Sequence, residues 1–179
     1  MDRSGYPRVT EIVRPFGPDF SHVSDLEFYA DRGDRVHHAC STIARGLFAP
    51  IDRDITGYIT SFRRFFDTVD QVFIVEQRLY SDKWKFTGQP DLVCTIKNDP
   101  RVIIVDYKSA IAYHRVWDLQ LGAYKALVEE NFDLKVERWG SLRLRKDGSK
   151  PLFKDAGSGS VVAFLGLLQA HHYMHGIAA

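Results

Sequence analysis

Hydrophobic positions in this chain alternate between two spacings, and each change of spacing marks a new element. Residues 9–13, Val-Thr-Glu-Ile-Val, read as a short strand, closed by Pro15, Gly17 and Pro18. From Asp25 onward Leu26, Tyr29, Val36, Ala39, Cys40, Ile43, Ala44 and Leu47 recur at intervals of three and four, the mark of a helix face. Gly33 is expected to divide this stretch into two helices. A third amphipathic helix is predicted over 56–69, where Tyr58, Ile59, Phe62, Phe65 and Phe66 share a face. The period then shortens. Segments 71–80, 85–96 and 101–109 predict three strands joined by tight turns, one of them at Asn98-Asp99-Pro100. Helical spacing returns over 116–130. Strands follow over 133–145 and 151–154, around the turn Lys146-Asp147-Gly148-Ser149. A closing helix over 157–175 places Val161, Phe164, Leu165 and Leu168 together. Helices, a three-strand meander, a helix, further strands and a last helix describe an α/β chain with a mixed sheet flanked by helices.

The chain has 179 residues, of which 45% are hydrophobic, so a single domain over 1–179 with a sizeable core is expected. Basic and acidic residues nearly cancel, leaving a formal charge of +1. That excludes a generally basic polyanion binder and requires any such contact to use a local patch. Two cysteines, Cys40 and Cys94, are too few for a disulfide scaffold or a four-cysteine cluster, and both sit in apolar context as buried free thiols. Met1-Asp2-Arg3-Ser4 has no signal-peptide pattern, and no apolar run reaches the length of a membrane span. A soluble protein of the cytoplasm is the expectation, with no membrane partner.

The candidate chemistry lies at two strand ends. Asp91, in Gly88-Gln89-Pro90-Asp91, precedes Leu92-Val93, and Asp106 follows Val102-Ile103-Ile104-Val105. If the two strands pair, both carboxylates reach one end of the sheet. Lys108, two residues beyond Asp106, points to the same face. Two carboxylates and an ammonium on one spot suit the capture of a hard divalent cation and the activation of a water.

Pro90-Asp91 followed by Asp106-Tyr107-Lys108 resembles the signature of the PD-(D/E)XK nucleases. Arg32-Gly33-Asp34-Arg35-Val36-His37 is similar to the histidine-bearing helix motif of their RecB-like branch, and Gln120-Leu121-Gly122-Ala123-Tyr124 to that branch's QxxxY helix motif. The order of the motifs and the elements between them match as well, so the resemblance spans most of the chain. It implies a restriction-endonuclease-like core with helices on both faces of a mixed sheet. It also implies a metal-dependent DNA nuclease, with exonuclease action from DNA ends in recombination, repair or phage DNA metabolism, in a bacterial or phage-infected cell.

By that resemblance Asp91 and Asp106 ligate Mg²⁺ or Mn²⁺ together with the backbone carbonyl of Tyr107, and Lys108 orients or deprotonates the attacking water. The spacing from Gly33 selects His37 over His38 as a further ligand, and an imidazole favours tolerance of Mn²⁺. Gln120 and Tyr124, four apart on one helix face, either grip a phosphate or position Lys108. Glu76, on the strand before the Pro-Asp strand, is a second-tier metal ligand. Candidate DNA contacts are Arg63, Arg64 and the group Arg138, Arg143, Arg145, Lys146 and Lys150. Candidate stacking residues are Trp84, Tyr113, Trp117 and Trp139. His171 and His175 have the spacing of a helical metal pair but no acidic partner in the sequence nearby. The partner expected is DNA with a free end, and a homo-oligomer or a recombination partner protein is compatible. The competing reading is a catalytically inactive nucleic-acid-binding module on the same fold; a third is a metal-dependent phosphoesterase acting on a small substrate.

Overall fold

The apolar runs pair into one five-stranded mixed sheet in the computed structural model, which describes residues 3–18 and 25–177. In chain order the strands are β1 (Val69–Val75), β2 (Leu79–Ser81), β3 (Phe86–Gly88), β4 (Leu92–Ile96), β5 (Asp99–Lys108), β6 (Val136–Arg143) and β7 (Leu152–Asp155). Across the sheet the order is β1-β4-β5-β6-β7, while β2 and β3 form a separate hairpin. All neighbours in the sheet are antiparallel except β5 and β6. That parallel pair is joined by a crossover helix, α4 (Val116–Asn131).

The predicted 71–80 and 85–96 strands are each divided. After β1 the backbone of Glu76 takes φ 43°, and after β3 comes Gln89-Pro90, where proline has no N–H to offer a ladder. The two breaks lie side by side: the Glu76 N–H donates to the Asp91 carbonyl at 3.1 Å. The turn between β4 and β5 sits one residue early, at Lys97-Asn98, with Asn98 at φ 64°. Pro100 falls inside β5, but ahead of Val102, where pairing with β6 begins.

Residues Val9–Val13 form a helix, α1, not the expected strand. Five residues are too few for β-branched composition to decide, and Val9, Ile12 and Val13 have helical spacing with all three buried. Gly33 likewise does not interrupt α2, which runs unbroken over Leu26–Ala44. One helical glycine costs only about 1 kcal/mol, and the buried face of Val36, Ala39, Cys40 and Ala44 outweighs it. The helices α3 (Thr56–Phe66) and α5 (Ser160–His175) lie within the stretches predicted for them.

Alternation along the strands sends side chains to two cores. Leu92, Cys94, Ile103, Val105 and Tyr107 pack with α2 and α3, while Val93 and Ile104 pack with α1, α4 and α5. Cys40 and Cys94 are free and buried in the first of these cores. Among the described residues no helix is long and apolar enough to cross a membrane.

Gly122 sets how closely α5 approaches α4. A Cβ there would lie 2.5 Å from the backbone carbon and oxygen of Ser160, which are not free to move as a side-chain tip is. Gly122→Ala is therefore expected to destabilise the protein by about 1–3 kcal/mol, although alanine is the better helix former. The midpoint of denaturant unfolding measures this, and an unchanged or raised midpoint contradicts the close approach.

Candidate active site

Antiparallel pairing sets Leu92 opposite Val105, which brings Asp91, just before β4, alongside Asp106. Asp106 and Lys108 turn toward α4, and Tyr107 between them turns into the opposite core, where its ring meets Phe62 edge-on at 5.2 Å. The three residues expected to converge from sequence do so.

Asp91 is held from two directions. Its Oδ2 accepts the Tyr107 N–H at 2.6 Å, and its Oδ1 lies 3.3 Å from His37 Nδ1 on α2. Burial alone would raise this carboxyl, but the His37 ring, Lys108 and the Tyr107 N–H outweigh it and keep Asp91 below the ordinary aspartate value. Asp106 behaves oppositely. It is 1% exposed, and burial pushes its carboxyl up despite the Lys108 ammonium 2.6 Å from Oδ2. Adjacent carboxylates with divergent proton affinities are a common feature of reaction centres.

Lys108 is placed by α4. Its Nζ lies 3.4 Å from Gln120 Oε1, and Gln120 Nε2 donates to the Tyr124 hydroxyl at 2.7 Å. Tyr124 is itself buried. The structure thus brings Gln120 and Tyr124 beneath the lysine, as a chain from the helix core to the ammonium. Trp117, one turn earlier, has its ring 5.4 Å from the same Nζ.

Glu76, a lesser candidate from sequence, joins the centre. It lies just past the end of β1 rather than within it. His37, Glu76 and Asp91 each bring a ligand atom within 4.8 Å of the others. Its left-handed backbone is costly for a non-glycine residue and aims the carboxylate at this point. Arg45, which sequence reasoning did not single out, donates to the Val75 carbonyl at 3.0 Å and lies 3.9 Å from Glu76. It has no sequence signal beyond its place at the end of α2. In front of these groups lies an open cleft of about 490 Å³, lined by Tyr29, Gly33, Asp34, His37, His38 and Glu76 among others.

The donor set suits a divalent cation. His37, Glu76 and Asp91 supply two carboxylates and one imidazole, and Asp106 Oδ2 is buried with the Lys108 ammonium against it. Because the Tyr107 N–H points at Asp91, its carbonyl faces the same edge of β5.

Other expected contacts are engaged elsewhere. Arg64 Nε donates to the Gly148 carbonyl, Arg138 pairs with Asp155 at 2.9 Å, and Trp139 Nε1 donates to Ser160 Oγ. Arg63 lies in the last turn of α3. His171 and His175 stack on each other at 4.1 Å, apart from the centre on α5.

A family model of the PD-(D/E)XK nuclease superfamily matches residues 17–168. The chain belongs to the PD-(D/E)XK nuclease superfamily. A solved structure shares the fold. A protein of Eubacterium rectale described as a candidate exonuclease superposes with a TM-score of 0.52 at 8% identity, over 83% of this chain and 69% of that one. No curated protein sequence matches the chain. Superfamily membership implies a nucleic-acid substrate and a nuclease's hydrolysis.

The His37–Asp91 pair has a measurable signature. Burial disfavours a charged His37 ring, but attraction and the hydrogen bond to Asp91 prevail and push its pKa up to about 9. A folded value above the ordinary 6.5 means stability that is full below pH 6.5 and lost as the pH rises through about 9. In EDTA, the difference in melting temperature between the wild type and His37→Ala should shrink over that window. A difference that stays constant from about pH 6 to about pH 10 contradicts the ion pair.

Proposed function

We propose that this protein is a metal-dependent deoxyribonuclease that hydrolyses phosphodiester bonds from free DNA ends. The observation that carries the reading is the convergence of Asp91, Asp106 and Lys108 at one strand end, with His37 and Glu76 completing a donor set around Asp91.

Asp91, Asp106, Glu76 and His37, with the Tyr107 carbonyl, would hold Mg²⁺ or Mn²⁺. Such an ion supplies neutralisation of phosphate charge, a more acidic water and support for the leaving oxygen. The imidazole must give up its proton to act as a ligand, so His37 makes uptake of the ion favour alkaline solution. Lys108 donates hydrogen bonds to the phosphate or the incoming water from a fixed position, because Asp106 and Gln120 restrain its ammonium. Gln120 cannot turn over without losing either Lys108 or Tyr124, so the α4 residues act as positioning residues. Trp117, beside the ammonium, offers a ring face to an unpaired base. The description of the Eubacterium rectale protein supports action at ends, and the open cleft beside the donor set leaves room for a strand.

Labelled linear and circular DNA, single- and double-stranded, test the reading. Linear DNA should be degraded with Mg²⁺ or Mn²⁺ and left intact in EDTA, with circles resistant. Lys108→Ala should lower turnover by about 10²–10⁴-fold while DNA binding partly survives. DNA that is shifted in mobility but never cut would instead identify a binding module, and cleavage of circles would make the enzyme an endonuclease.

A further inference from the structure

Two arginines on α2 have opposite surroundings. Arg35 is neutralised by three aspartates, Asp31 at 2.9 Å, Asp52 at 3.0 Å and Asp54 at 2.7 Å. Arg32 makes no direct ion pair among the described residues, although its charge helps to hold the Asp54 carboxyl down. Its guanidinium lies over the rings of Tyr29 and Tyr58, 5.0 and 5.3 Å from their centroids, and its Nε is buried without an acceptor. Arg143, the last residue of β6, is in the same condition. Its Nη1 donates to the Ile111 carbonyl at 2.8 Å, its Nε is buried without an acceptor, and no acid pairs with it among the described residues.

Both lie beside the proposed reaction centre. Arg143 is in register with Lys108 on the adjacent parallel strand. It lines a second cavity of about 270 Å³ with Tyr58, Ser109, Arg145 and Lys146. The acid in that wall, Asp147, is already engaged by the N–H and hydroxyl of Ser149. The second cavity and the cleft in front of His37 share a wall at Gly33 and Ser109: a Cβ on Gly33 would lie 3.8 Å from the serine Oγ. Arg32 lies between the ring of Tyr29, which lines the cleft, and the ring of Tyr58, which lines the second cavity. The second cavity, with Ser109 and Leu144 in its wall, opens at the carboxyl ends of β5 and β6, where ligands of open α/β sheets bind.

We propose that Arg32 and Arg143, with Arg145 and Lys146 beyond, form a phosphate track that carries the nucleic-acid backbone past Lys108. The two guanidinium groups bind backbone phosphates, which supply the negative charge that no direct ion pair gives them. Arg32 and Arg143 are thus substrate-binding residues. This inference rests on the nuclease reading and adds to it the path of the strand.

The test titrates a labelled oligonucleotide with wild type, Arg32→Gln, Arg143→Gln, Arg143→Lys and Lys146→Ala in Ca²⁺, at several salt concentrations. Each neutralising variant should bind several-fold more weakly. The slope of log affinity against log salt should fall by about 0.7–0.9 for each phosphate that is no longer neutralised. Arg143→Lys should restore the slope, and the KM of cleavage should rise more than kcat falls. Lys146 is exposed, so Lys146→Ala reports on the track even if an arginine variant misfolds. Wild-type affinity and slope in folded variants would overturn the track while leaving the nuclease reading intact. A wild type that neither binds nor cuts DNA would overturn the nuclease reading itself.

Discussion

A buried carboxylate must be paired, and Asp91 meets that requirement by joining three parts of the fold. One oxygen takes an N–H from β5, the other faces His37 on α2, and its own carbonyl takes the N–H of Glu76 beyond β1. Without these partners a charge at this depth would cost several kcal/mol. The same three contacts fix Asp91 relative to β5, His37 and Glu76. The sheet edge, the helix and the break after β1 are therefore not free to adjust independently of the chemistry.

The break at Glu76 is the local exception to regular geometry. A non-glycine residue with positive φ at the end of a strand interrupts the pairing of β1 and turns a carboxylate inward. Arg45 holds the preceding carbonyl in place. Opposite it, α4 carries the second support: Tyr124 and Gln120 fix the ammonium of Lys108, and Gly122, between them, lets α5 press against the same helix. The groups that would meet a substrate are thus set by contacts made behind them.

The cations sort by what surrounds them rather than by where they fall along the chain. Arg35, Arg64 and Arg138 are bound to acids or carbonyls and tie elements together. Arg32 and Arg143 have donors without acceptors at the end of the sheet where Lys108 emerges. With nearly balanced net charge, the proposed hold on a nucleic-acid backbone would depend on this local asymmetry.

Composition and period were enough to read the mixed sheet and its flanking helices, because Val, Ile and Leu runs bounded by turn residues leave few alternatives. The Asp91, Asp106 and Lys108 placement was legible too, since strand alternation is a local rule and the two strands are joined by a short turn. Local rules misread 9–13 as a strand and Gly33 as a break, where burial against other elements outweighs propensity. Glu76 was legible only as a lesser candidate: its backbone conformation and its distance to His37 and Asp91 depend on contacts far away in the chain. The states of Arg32 and Arg35, three residues apart on one helix, are indistinguishable in sequence. Only the packing of α2 against the segment that holds Asp52, Asp54 and Tyr58 decides which of them is neutralised and which keeps its charge unpaired, because pairing is set by distance in space and not by spacing along the chain.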